Sequence, residues 1–203
     1  MTTPPAILAF DTASAHCAAA VLVGDTILCQ AQEPMQKGQA ERLMGLCADL
    51  MADAGLAFGD LAAVGVGIGP GNFTGIRISV SAARGLALGL AVPAIGVSSF
   101  DALRFGQTGP CAVAIDARRD QLYVQQFDVS STDTPVMVPA TSVPPHDGPL
   151  IGATGQKAAY PIAEGIARLT AQRYQTPQPR PAPLYMRPAD AAPARDAPPR
   201  ILP

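Results

Sequence analysis

The stretch Ala63-Val-Gly-Val-Gly-Ile-Gly-Pro-Gly-Asn-Phe-Thr-Gly75, continued by Ile76-Arg-Ile-Ser-Val-Ser-Ala-Ala-Arg84, reads as a buried strand that runs into a glycine loop and opens directly into a helix. Val64, Val66 and Ile68 alternate with Gly65, Gly67 and Gly69, so one face of the strand carries β-branched bulk and the other almost nothing. Another element is expected to press closely on that bare face. After Pro70, Gly71 can adopt positive φ, and Asn72 and Thr74 are residue types whose side chains cap helix starts. A helix start fed by such a loop offers backbone N–H groups to an anion, which makes it a candidate phosphate cradle. The alternative is a ligand-free strand-to-helix turn. Gly67-x-Gly69 is followed by Asn72 where the dinucleotide fingerprint needs a third glycine, and no Lys follows as a Walker loop requires.

Length and composition bound the rest. With 203 residues and 48% hydrophobic content the chain can bury a substantial core, as one domain or two small lobes. Net charge is −2 with only 14 Lys and Arg, which leaves no basic excess to hold a polyanion unaided, so any tie to nucleic acid is expected to be indirect. Cys17, Cys29, Cys47 and Cys111 stand far apart without a CxxC pair, as free thiols of a reducing compartment do. The N-terminus carries no basic leader region, and the long uncharged run over 85–100 is broken by Pro93, so a cytoplasmic protein without a membrane span is expected.

Along the chain, Ile7 to Asp11 reads as a short apolar strand ending in an acid, followed by Thr12 and Ser14. Strands over 17–23 and 26–31 are joined by Gly24-Asp25, a two-residue hairpin signal, so the chain opens as a β-meander. Between Gln39 and Ala54 the apolar residues recur at three-four spacing and stop at Gly55, which predicts an amphipathic helix. The helix from Gly75 to Leu90 is lined with Ser, Ala and Gly, and its glycines predict a close neighbour that offsets their cost of roughly 1 kcal/mol each. A short helix capped by Ser98, strands over 112–115 and 121–127 joined by the hairpin loop 116–120, a strand over 150–152 and a helix over 156–170 follow. The proline-studded segment 130–149 is read as irregular. The last 27 residues hold nine prolines and are expected to be extended, with Leu184, Tyr185 and Met186 as the anchored part.

This order of meander, helix, strand, helix, strand, repeated more weakly, indicates an α/β protein with an antiparallel ribbon extended by parallel strands. It resembles the ribonuclease-H-like lobe of the actin-like ATPase superfamily, with a smaller, reduced second lobe. The expected boundaries are 1–98 for the first lobe, 99–176 for the second and 177–203 for the tail. At the residue level, Ile-Leu-Ala-Phe-Asp-Thr-Ala-Ser at 7–14, Gly-Pro-Gly-Asn-Phe-Thr-Gly-Ile-Arg at 69–77 and Asp-Ala-Arg-Arg-Asp-Gln-Leu-Tyr-Val at 116–124 resemble the bacterial TsaB/YeaZ family of tRNA threonylcarbamoyladenosine biosynthesis.

That resemblance implies a non-catalytic subunit that pairs through first-lobe helices with the threonylcarbamoyl transferase TsaD. TsaD modifies the adenosine at position 37, next to the anticodon, in tRNAs reading codons that begin with A. The resemblance further implies the pathway ATPase TsaE as a partner through the complex, a homodimer as a second association, tRNA met only indirectly, and no membrane. It implies no cofactor, with ATP or ADP at most near the partner interface. The transferase holds its metal with a His-x-x-x-His pair on the first long helix, and here those positions are Gln39 and Leu43. His16 and His146 belong to no ligand cluster, so neither a catalytic group nor a metal site is expected. The interface candidates are Leu43, Met44, Cys47, Leu50, Val80, Ser81 and Arg84, of which some apolar members must face their own sheet. Asp11, Thr12, Gly71, Asn72 and Thr74 are the candidate phosphate or nucleotide site, vestigial if the chemistry is lost. The alternative reading is a small-molecule kinase of the same superfamily with Asp11 holding magnesium, but Gly152-Ala-Thr-Gly155 lacks the acid of a second phosphate turn. A metallopeptidase is disfavoured by the histidine count.

Overall fold

The structure, a computed structural model, describes residues 4–128 and 133–187. The part of the tail beyond 187 therefore lies outside the described residues. The chain forms β1 (Ala6–Asp11), β2 (His16–Val23), β3 (Thr26–Pro34), α1 (Gln39–Asp53), β4 (Leu61–Gly67), α2 (Phe73–Leu90), β5 (Ala94–Val97) and α3 (Ser99–Arg104). There follow β6 (Cys111–Asp116), β7 (Gln121–Phe127), β8 (Val136–Pro139), β9 (Leu150–Gly152) and α4 (Ile162–Arg173).

The first sheet has the order β3-β2-β1-β4-β5, with β1, β2 and β3 antiparallel and β4 and β5 parallel to β1. This is the expected meander extended by parallel strands. Every residue of β1 is buried, because both faces of the sheet are covered. On one face Leu8, Phe10, Val21, Val64 and Val66 meet α1 through Leu43, Cys47 and Leu50, and α2 through Ile76, Val80 and Ala83. On the other, Ile7, Ala9, Ala18 and Ala20 meet Ile162, Ile166 and Leu169 of α4.

The bare face of the glycine strand is thus explained. A Cβ built on Gly65 would collide with Thr170 Oγ1 and lie 3.1 Å from Ile166 Cγ2, so α4 seats directly on the glycine. Thr170 donates its hydroxyl to the Ile166 carbonyl at 2.8 Å, and Glu164 ties the helix to β3 by accepting from Gln30 Nε2 at 3.2 Å. The placement of α4 corrects the expected division at 99–176: this helix completes the first lobe. Its apolar stripe could have covered either sheet, and the small residues of the first sheet's open face admit it. It also begins later than expected, after Pro161 at its N-cap.

The second sheet has the order β8-β7-β6-β9, with β6 and β9 parallel and the other pairs antiparallel. β8 lies within the segment read as irregular. A second correction concerns α2, where Gly85 and Gly89 face open space instead of a close neighbour in this chain. The anchored part of the tail is as expected: Leu184 donates its N–H to the Ile68 carbonyl at 2.8 Å, and Met186 packs into the second-lobe core.

Gly65→Val is expected to lower unfolding stability by about 1–3 kcal/mol, read by urea denaturation, because the added atoms meet α4. Ala83→Leu, at a fully buried position facing the sheet, is expected to destabilise by a similar ~1–3 kcal/mol in the same assay.

Candidate functional site

Asp11 ends β1 and is only 1% exposed. Its Oδ2 accepts the Ala13 N–H at 3.1 Å and is bonded to His16 Nε2 at 2.7 Å. Its Oδ1 has no hydrogen-bond partner and lies against Gly67, where a side chain would strike it. Thr12 is buried and donates its hydroxyl to the Gly75 carbonyl at 2.7 Å. The glycine loop rests on this turn: Asn72 donates its N–H to the Ala13 carbonyl at 2.6 Å, and a Cβ on Gly71 or Gly75 would strike the carbonyl of Ala13 or Thr12.

The start of α2 is satisfied from within. Asn72 is the N-cap, its Oδ1 accepting from Thr74 N at 3.0 Å and Gly75 N at 3.4 Å, an interaction of about 1 kcal/mol. The Ile76 N–H donates to the Asn72 carbonyl at 2.9 Å. Of the phosphate or nucleotide site expected at Asp11, Thr12, Gly71, Asn72 and Thr74, the structure shows a turn and helix start bonded to each other. The amides at 72, 74 and 75 are committed to the chain itself, and Asp11 and Thr12 are sealed beneath the loop.

An open cleft of about 730 Å³ does lie beside this turn. Residues 13–16 and 71–73 form its first-lobe side, residues 116–118 and Tyr123 its second-lobe side, and residues 184–187 run along it. Gly71 and Asn72 reach it; Asp11, Thr12 and Thr74 do not line it. The turn after β6 has the form of the turn after β1, with Asp116 Oδ1 accepting the Arg118 N–H at 2.8 Å. In the sequence this segment reads as a hairpin loop and as part of the 116–124 resemblance, without a place beside the turn after β1. The signal present was the repeated pattern of an apolar strand ending in Asp and a small residue, Phe10-Asp11-Thr12-Ala13 and Ile115-Asp116-Ala117.

The segment along the cleft is held from both sides. Tyr185 stacks on Phe73 with ring centroids 4.8 Å apart, and its hydroxyl accepts from Arg77 Nε at 2.7 Å. Arg187 donates to Gln121 Oε1 on β7 at 2.6 Å.

For catalysis the residues offer little. Among the described residues, no three His, Cys, Asp or Glu side chains are grouped so as to hold a metal. All four cysteines are free. Burial pushes the Cys17 thiol up to about 11 and the Cys47 thiol up to about 12, away from reactive thiolate. Gln39, where the transferase-type pair would begin, is buried and donates its side-chain amide to the Met35 carbonyl at 3.1 Å.

The interface candidates separate into two groups. Leu43, Cys47, Leu50 and Val80 lie in this chain's own core, which corrects their assignment to a partner surface: they are on the sheet side of each helix. Met44, 40% exposed, and Ser81 lie on the outer surface, with Arg84 partly covered. Leu88, which was not singled out, is 78% exposed on α2.

The raised thiols stabilise the fold fully below the ordinary thiol value of 9.0, and that contribution is lost as pH rises through about 11 and about 12. At about pH 8, a thiol reagent is therefore expected to label Cys17 and Cys47 only as fast as the protein opens, and to label all four cysteines at once in denaturant, as read by mass spectrometry.

The family model described as TsaD, tRNA N6-adenosine threonylcarbamoyltransferase, matches residues 33–143, more than half of the chain. An uncharacterised protein of Mycobacterium tuberculosis is 34% identical over 203 residues, covering 92% of this chain and 94% of that protein. The tRNA threonylcarbamoyladenosine biosynthesis protein TsaB of Escherichia coli is 35% identical over 126 residues, which cover 60% of this chain and 54% of that protein. Among solved structures, YeaZ from Pseudomonas aeruginosa superposes with a TM-score of 0.71 at 26% identity, over 90% of this chain and 100% of that one. The two lobes accordingly have the α/β actin-like ATPase, ribonuclease-H-like fold. By these matches the chain belongs to the threonylcarbamoyltransferase family and, within it, to the TsaB/YeaZ branch, the non-catalytic relatives of TsaD.

Proposed function

We propose that this chain is the non-catalytic TsaB/YeaZ-type partner of a TsaD threonylcarbamoyl transferase and is required with it to form N6-threonylcarbamoyladenosine at position 37 of tRNAs reading codons that begin with A. The observation that carries the reading is the superposition on YeaZ over the whole of that chain, joined to an interior that keeps the superfamily scaffold while sealing its phosphate turn. The outer surface of α1 and α2 supports pairing through helices. Leu88 is exposed on α2, Gly85 and Gly89 there leave room for a partner helix to approach, Ser81 is exposed on the same helix, and Met44 is exposed on α1. No described residue lies within 4 Å of a β-carbon built on Gly85 or Gly89, and a partner helix on that surface accounts for two helical glycines that no described contact offsets.

The finer associations follow from the same assignment. A second copy of the chain uses this face when TsaD is absent, TsaE joins through the complex, and tRNA is met through TsaD, since a net charge of −2 gives this chain no polyanion surface. No described helix is long and apolar enough to cross a membrane, and the proposed part in tRNA modification is one carried out in the cytoplasm.

Sedimentation of the purified chain mixed with TsaD from the same cell tests the proposal. A stable one-to-one species is expected, and Met44→Arg or Leu88→Arg should weaken it at least tenfold, or about 1.4 kcal/mol, with the melting temperature unchanged. Leu43→Ala should instead lower stability by about 2–5 kcal/mol, because that side chain is core. Failure to associate, together with fully modified tRNA in cells lacking this chain, would refute the assignment.

A further inference from the structure

The long helices of this chain differ in how their charges are answered. On α1, Arg42 is paired with Glu33 at 2.8 Å and with Asp49 at 2.9 Å. On α4, Arg168 is paired with Glu164 at 2.8 Å and Arg173 with Asp101 at 3.6 Å. α2 carries two arginines, Arg77 and Arg84, and no acidic residue among its 18 residues. Neither arginine has a carboxylate partner among the described residues. On a chain of net charge −2, this helix is locally cationic.

Both stand on the same side of α2. Arg77 follows Ile76 and Arg84 follows Ala83, two core residues seven apart, and that spacing is about two turns, or about 10.5 Å along the axis. Ser81 and Leu88 complete a row with them at spacings of four, three and four, and Leu88 is 78% exposed. Arg77 is itself exposed, yet it is held in one orientation. Its guanidinium lies over the Phe73 ring, with Cζ 3.9 Å from the centroid, and its Nε donates to the Tyr185 hydroxyl at 2.7 Å. The two Nη groups are left for an acceptor outside the described residues. A side chain fixed in this way gives up little freedom on binding.

We propose that this row is met by an acidic surface of TsaD, which sets two carboxylates about two turns apart, one on Arg77 and one on Arg84, beside an apolar contact at Leu88. The inference rests on the pairing put forward above and supplies its electrostatic half. A partner that covers Leu88 also covers Arg84, one turn away, and a guanidinium taken out of water without an anion is strongly unfavourable. The covering surface therefore has to bring acids. Phosphates of RNA would answer the same charges, but the row interposes Ser81 and Leu88 between and beyond them, and an exposed leucine at the contact favours a protein partner.

Calorimetric titration of the full chain into TsaD from the same cell, at about 0.05 M and about 0.5 M salt, tests this. Wild-type affinity is expected to fall roughly tenfold or more between the two. At low salt, Arg77→Gln and Arg84→Gln should each weaken binding about fivefold or more, and the double variant should flatten the salt dependence. Arg173→Gln, on α4 and already paired with Asp101, should leave binding unchanged. Tyr185→Phe keeps the Arg77 charge and its aromatic neighbours, and should weaken binding less than about threefold. A loss as large as that of Arg77→Gln would mark Arg77 as an internal brace and overturn the inference. Thermal melts accompany each variant, and the fold is expected to hold because Arg77 is exposed and Arg84 has no hydrogen bond or ion pair among the described residues. If the wild-type chain binds TsaD and Leu88→Arg weakens it while the arginine variants bind as the wild type does, this inference falls and the pairing stands. No binding by the wild-type chain overturns both. Arginine variants that lose RNA binding or self-association and keep their affinity for TsaD identify a different occupant and overturn it as well.

Discussion

The structure depends on close approach at a single strand and loop. Four glycines, at 65, 67, 71 and 75, stand where a β-carbon would collide with Thr170, Asp11, Ala13 and Thr12 respectively. Each contact joins a different pair of segments, so the absence of four methyl-sized groups lets α4, β1, the turn after β1 and the start of α2 share one small volume. Protein interiors are close-packed, and such a junction cannot be loosened at one point without moving the others. The buried Asp11 carboxylate belongs to this junction and not to the cleft beside it.

The same closeness separates scaffold from chemistry. A helix start that faces a phosphate must leave its first amides free, whereas here Asn72 and Ala13 occupy them. The inward thiols are held protonated by burial, and the two histidines are far apart in the chain. What the lobe retains is a firm support for α1 and α2, whose outer sides carry Met44, Ser81 and Leu88.

Much of the first lobe was legible in the sequence because its signals are local. The alternation of Val64, Val66 and Ile68 with glycine fixed both the strand and the need for a close cover, and the Gly24-Asp25 hairpin fixed the meander. Which helix supplies that cover was not legible, since α4 lies about a hundred residues later and its apolar stripe suits either sheet. Helical period marks Leu43, Cys47, Leu50 and Val80 as apolar without saying which side of each helix faces the sheet, so core and surface positions look alike in the sequence. Asn72 and Gly71 were recognised as a helix start, but whether an anion or the chain's own carbonyl groups would fill it is a tertiary matter.

That return has a mechanical consequence. The second lobe is an insertion, leaving the first lobe after β5 and rejoining it at α4, and two such tethers would let the lobes swing about the line between them. The passage from Ile68 to Gln121 through Leu184, Tyr185 and Arg187 is a third brace. Three connections restrict rotation of one half against the other more than two would, as a tripod stands firmer than a pair of legs.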